Sequence, residues 1–136
     1  MAKKLSKALR GKRRWFGVAV SPQIIARNEL EKSLDILQDI LLCEKKLKLM
    51  DFFNSSSQVA KLAHTNLENS LPSHSLQGDE GFAIIQVPHE VSNEFRKLID
   101  NQSGYSKYSM LSVSTSGKIR LIRQRLNLPK PKRTRR

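Results

Sequence analysis

Three histidines and one cysteine could ligate a metal or attack a substrate, and their spacing favours neither. His64, His74 and His89 stand apart, and no two are placed to share a helical face as metal ligands. Cys43 follows Leu41 and Leu42, which favours packing over nucleophilic use. A lone cysteine closes no internal disulfide and builds no four-ligand zinc site, so a reducing, cytoplasmic setting is expected. There is no Gly-x-Ser-x-Gly elbow and no Gly-rich loop with a lysine to cradle a nucleotide. We assign no catalytic residue, and expect no cofactor to be bound by the protein itself.

The remaining chemistry is cationic. The sequence carries 25 Lys and Arg against 12 Asp and Glu, a formal net charge of +13. Seven of the basic groups fall within residues 1–14 and nine within 118–136, and neither stretch contains an acid. Residues 15–117 keep nine basic groups against all 12 acids, a net of −3. A surface built for solubility mixes the two signs. Segregation points to a polyanion met by the two ends, of which nucleic acid is the commonest. No apolar run approaches the ~20 residues that span a bilayer. No signal-peptide core follows the basic N-terminus, and no lipidation signal accompanies the charge, so no membrane partner is expected.

Within the basic ends, two places have local structure. Arg13 and Arg14 sit at the mouth of a strand, Arg14–Val20, and carry the charge of Arg10 and Lys12 onto the folded body. Ser114-Thr115-Ser116-Gly117-Lys118 runs from a strand into a helix start, where backbone N–H groups are free, Gly117 admits a phosphate, and Lys118 and Arg120 add charge. An ordinary cap, in which Ser116 satisfies the helix end, fits the same residues; both readings stay open. Aromatic residues make up only 6% of the chain, and Gly81–Val87 lacks the spaced aromatics of an RNA-recognition-module strand. Contact with backbone and shape, as in a folded RNA, is favoured over stacked bases.

The elements that must position these residues read as follows. Trp15, Gly17 and Ala19 fall on one face of the first strand, with Phe16, Val18 and Val20 on the other. Leu30, Leu34, Leu37 and Leu41 recur at helical spacing, predicting a helix from Leu30 to about Leu49, capped by Ser21 or Asn28. Residues 54–57 break it. Val59–Thr65 is either a strand or a helical turn, and 66–80 is a polar loop. Gly81–Val87 is apolar on both faces, hence a central strand closed by Pro88. A helix over Glu90–Ile99 ends near Gly104, expected in the left-handed conformation. Tyr108–Thr115 is a strand, and a last helix turns Ile119, Ile122 and Leu126 inward, with Lys118, Arg120, Arg123 and Arg125 mainly outside that stripe. Pro129 and Pro131 stop it.

With Val59–Thr65 as a strand, the order is β-α-β-β-α-β plus a C-terminal basic helix. That predicts an α+β, two-layer αβ sandwich of ferredoxin-like or RRM-like type with a mostly antiparallel sheet. Two helices would cover one sheet face and leave the other free for a partner. The domain would span 13–128, between a basic arm (1–12) and a basic tail (129–136).

Three segments, in order, resemble protein component 2 of archaeal ribonuclease P, the family shared with the small eukaryotic RNase P/MRP subunit. They are Leu9-Arg10-Gly11-Lys12-Arg13-Arg14-Trp15-Phe16, then Gly81–Val87 with the Val91–Ile99 helix, and above all Val113-Ser114-Thr115-Ser116-Gly117-Lys118-Ile119-Arg120-Leu121-Ile122-Arg123. Together they cover roughly half the chain. The family carries Thr where this chain has Lys118, and the stretch 45–80 lies outside the resemblance.

The resemblance implies a subunit that braces a catalytic RNA during removal of the 5′ leader from precursor tRNA, with the chemistry done by the RNA and its Mg²⁺. It implies pairing with protein component 3 and self-association into a heterotetramer, with precursor tRNA met indirectly. The RNA-contacting residues expected on the combined reading are Arg10, Lys12, Arg13, Arg14, Ser116, Gly117, Lys118, Arg120, Arg123 and Arg125. The Leu111/Val113 region and the apolar sheet face would then offer partner surface. Alternatives of other classes are a ribosomal or other ribonucleoprotein structural protein, and a stand-alone nuclease, the last disfavoured by the missing catalytic constellation.

Overall fold

The computed structural model describes residues 13–42, 46–70, 80–126 and 128. The arm 1–12 with Arg10 and Lys12, Cys43, His74 and the tail 129–136 lie outside the described residues. Four strands, β1 (Arg13–Val20), β2 (Lys48–Phe53), β3 (Gly81–Pro88) and β4 (Met110–Ser116), form one sheet in the order β2-β3-β1-β4. Every neighbouring pair is antiparallel. Helices α1 (Arg27–Leu41), α2 (Gln58–Ser70), α3 (Ser92–Ile99), α4 (Gln102–Tyr108) and α5 (Ile119–Leu126) complete the described chain. A 3₁₀ turn at His89–Val91 leads into α3. The α+β class, the split βαβ order and the added C-terminal helix match the sequence expectation.

The pleat of β1 sorts the core. Phe16, Val18 and Val20 pack with the α1 leucines, with Ala83, Ile85 and Val87 of β3, and with Phe95 and Ile99 of α3. This is the expected sandwich. On the opposite face, Ala19, Phe82, Ile84, Leu111 and Val113 pack under Ala60 and Ala63 of α2 and Ile122 and Leu126 of α5. That face is covered, not free, and Leu111 and Val113 are buried beneath it rather than available to a partner. Gly17 makes the close approach of α5 possible, because a Cβ there would stand 2.6 Å from Leu126 Cδ1 and 2.8 Å from Ile122 Cγ2.

Several boundaries differ from the reading of the sequence. The first helix starts at Arg27 and is not capped by Ser21 or Asn28; Glu29 Oε1 accepts the Ala26 N–H at 3.0 Å. It stops at Leu41, not near Leu49. Leu42 turns left-handed (φ 52°), and its N–H reaches Gln38 O at 3.1 Å. Beyond it, buried Leu47 and Leu49 alternate with exposed Lys46, Lys48 and Met50, a period of two that makes β2. Val59–Thr65 is not that strand; it belongs to α2, entered from Ser57, whose Oγ accepts the Ala60 N–H at 3.2 Å. Residues 66–70 are therefore helical, not loop. Gly104 does not end a helix but lies inside α4, which Asn101 caps by accepting the Gly104 N–H at 2.8 Å. A Cβ at Gly104 would meet Leu98 O at 1.8 Å, so the residue lets α4 fold tightly back on α3.

Candidate nucleic-acid interface

Antiparallel pairing places the start of β1 beside the end of β4. Trp15 pairs with Ser116, and on the other side Arg13 and Arg14 pair with Pro88 and Val87. Arg14, Ser116, Gly117 and Lys118, drawn from the two basic ends of the sequence, therefore meet at one end of the sheet. The Arg14 guanidinium lies over Gly117, where a Cβ would stand 3.5 Å from Nη1. Its Nε donates to His89 Nδ1 across a long 3.4 Å, so the imidazole leans on the same cluster. Arg13, Lys118 and Arg120 are exposed around it.

Ser116 acts as a local cap, since its Oγ accepts the Lys118 N–H at 3.1 Å. Leu121 N–H then bonds Lys118 O at 3.2 Å, opening α5. One backbone donor expected to be free for phosphate is thus already satisfied. The hydroxyl proton of Ser116 and the charges of Arg14 and Lys118 remain to be offered.

The basic residues of α5 divide. Arg125 stays at the surface and folds back on β4, donating Nη1 to Ser114 Oγ at 3.0 Å and to Thr115 O at 2.9 Å. Arg123, expected at the RNA surface, turns inward instead. Its Nε donates to Asp51 Oδ2 at 3.1 Å, with the two side chains only 17% and 5% exposed. Asp51 reaches this side because the β2–β3 register shifts between Leu49 and Asp51, which sets Asp51 opposite Ile84. Arg123 therefore fastens α5 to β2 and cannot serve phosphate without breaking that pair.

Two residues of the cluster carried no signal in the sequence. His89 joins because β3 ends where β1 begins. Arg96 joins because α3 crosses back toward β4, where Arg96 Nη2 donates to Thr115 Oγ1 at 3.3 Å. Among the described residues no carboxylate lies within ion-pair distance of Arg14, Arg96, Lys118 or Arg125. The other buried polar pair is distant in role: His64 Nε2 donates to Glu80 O at 2.8 Å, lies 3.5 Å from Glu80 Oε1, and meets the Phe82 ring at a tilt of 52°. It holds α2 to the start of β3. Among the described residues no group of His, Cys, Asp and Glu is arranged to hold a metal ion, and no helix is long and apolar enough to cross a membrane.

No family model, curated protein or solved structure matches this chain.

Proposed function

We propose that the protein is a subunit of ribonuclease P, binding and stabilising the catalytic RNA for removal of the 5′ leader from precursor tRNA. The observation that carries this reading is the meeting of Arg14, Gly117 and Lys118 at one sheet end, unopposed by acid among the described residues. Two of the three segments that resemble the family's protein component 2 supply those residues, and the third supplies β3 and α3 beneath them.

On this reading the chain's residues do electrostatic work. A folded RNA concentrates phosphate charge, and every cation fixed against its backbone releases condensed counterions. Arg13 and Arg14 open β1, while Lys118 and Arg120 lie at the start of α5, so their charge is presented on formed elements without the ordering entropy that a wholly flexible tail would lose. The reaction itself belongs to the RNA with Mg²⁺. Protein component 3, and a heterotetramer built with it, are the proposed protein partners, and the setting proposed is the cytoplasm.

Reconstitution tests this. Precursor-tRNA cleavage by ribonuclease P RNA with protein component 3, at limiting Mg²⁺, should be faster with this chain than without it. No stimulation, together with co-sedimentation of the chain with a ribosomal subunit, would move the assignment to a ribosomal protein. Cleavage by the chain with RNA removed would assign a stand-alone nuclease.

A further inference from the structure

In the strand order β2-β3-β1-β4, β4 forms one edge of the sheet. Two arginines reach the same residue of that strand from opposite faces. Thr115 pairs with Phe16, so its side chain lies on the α1/α3 side, where Arg96 Nη2 donates to Oγ1 at 3.3 Å. Ser114 pairs with Gly17, so its side chain lies on the α5 side, where Arg125 Nη1 donates to Ser114 Oγ at 3.0 Å and to Thr115 O at 2.9 Å. A guanidinium that reaches Thr115 O places that carbonyl outward, away from β1. In an extended strand the N–H of the same residue points to the same side. Two guanidinium forks and one outward N–H therefore surround a single point on the strand edge. Both arginines are exposed, and among the described residues neither has a carboxylate partner.

Bonding to Thr115 and Ser114 uses one Nη of each fork, and an arginine carries five N–H donors. The unused donors and both positive charges suit a tetrahedral oxyanion, which a guanidinium binds in two-pronged fashion. An edge strand flanked by two like charges is also poorly suited to adding a strand from another protein, because charged edges resist such pairing. We infer that Arg96 and Arg125 straddle the β4 edge to seat one phosphodiester of an RNA backbone at Thr115, one residue along β4 from the Ser116 end of the Arg14–Lys118 cluster. This inference rests on the RNA-binding reading above and extends it by one contact and by Arg96.

The test is a salt titration of binding between the full chain and a folded transcript of ribonuclease P RNA, comparing wild type with Arg96→Gln, Arg96→Lys and Lys118→Gln. Arg96→Gln should weaken binding on the order of tenfold and lower the salt slope by about 0.7–0.9, the value of one lost phosphate contact. Arg96→Lys should keep the slope and lose only part of the affinity, since the charge remains but the fork does not. Thermal unfolding of Arg96→Gln should match wild type. If Lys118→Gln lowers the slope while Arg96→Gln leaves it unchanged, the edge seat is wrong and the RNA-binding reading survives. If Arg96→Gln lowers the melting temperature without changing the slope, Arg96 is a strut and the inference is again overturned. A change in self-association by sedimentation, with RNA binding intact, would make the β4 edge a strand-pairing site instead. Absence of salt-dependent binding by the wild type would overturn both readings together.

Discussion

The two faces of the sheet are built on different principles. Under α1 and α3 the core is large and apolar, with Phe16 and Phe95 meeting edge to face at 4.9 Å between four buried leucines of α1 and the β-branched residues of β1 and β3. Under α2 and α5 it is made partly of small residues, Ala19, Ala60 and Ala63, with Gly17 admitting α5 at close range. The described ionisable groups that are buried, Asp51, His64 and Glu80, belong to this second face. The first face is held mainly by apolar packing, with Leu47 N–H on Gln38 Oε1 at 2.7 Å and Arg27 on Leu49 O tying α1 to β2 at its margin. The second adds buried polar pairs, of which Asp51–Arg123 fastens the basic helix and His64–Glu80 fastens α2. Burying apolar area is non-directional, whereas an Arg–carboxylate contact fixes position and orientation. Apolar burial thus stabilises both sides of the sheet, and buried ion pairing adds placement on the second.

Removing a ring from the first face is the severest way to break that division. Phe95→Ala should destabilise the fold by about 4 kcal/mol, the loss of a fully buried aromatic and the cavity left behind. Chemical denaturation measures it, and a loss below ~1 kcal/mol would show that this face does not carry the fold. Asp51→Ala comes next, at about 3 kcal/mol, because it leaves a largely buried guanidinium without its partner. Here the two faces should diverge in kind. Combining Asp51→Leu with Arg123→Met should recover most of the stability, since apolar replacements of a buried pair are often tolerated. If the pair sets the position of α5, the double variant should still bind RNA more weakly than wild type despite its restored stability. Equal binding would reduce Asp51–Arg123 to a packing contact.

Legibility in the sequence followed the same division. The leucine stripe of α1, the doubly apolar β3 and the Ile119/Ile122/Leu126 stripe of α5 were readable because large apolar residues recur at the period of their element. α2 was not, because its pattern is inverted: Leu62 is 50% exposed while Ala60 and Ala63 are buried. The small residues face inward there because a close helix approach requires them. β2 was lost for another reason. Leu47 and Leu49 alternate with lysines, but they follow the leucines of α1 so closely that the apolar run reads as one helix. At the basic cluster, Arg14 and Gly117 could be named from local motifs, and their meeting follows from strand order. Arg123 and Arg125 are two positions apart on one helix and have opposite fates. Two positions turn about 200° around the helix axis and so send them to different sides, and the partner that Arg123 meets there, Asp51, lies far away in the sequence. Arg96 likewise depends on Thr115, which no local spacing connects to it.

The smallest effect concerns Ser116, where capping and phosphate contact both fit. Its Oγ already accepts the Lys118 N–H, and a hydroxyl keeps its proton free while accepting. One side chain can therefore cap α5 and donate to a phosphate at once. Ser116→Ala removes both roles, at about 0.5–1 kcal/mol of stability, and so does not separate them. Ser116→Asp does. A carboxylate caps a helix start as well as serine does and suits its positive end, so stability should stay within ~0.5 kcal/mol of wild type. That carboxylate has no proton to donate and repels phosphate, so RNA binding should fall even though the helix start is intact. A variant that keeps both its stability and its affinity for RNA would confine Ser116 to capping. Phosphate recognition at this end of the sheet would then rest on Arg14, Lys118 and their neighbours alone.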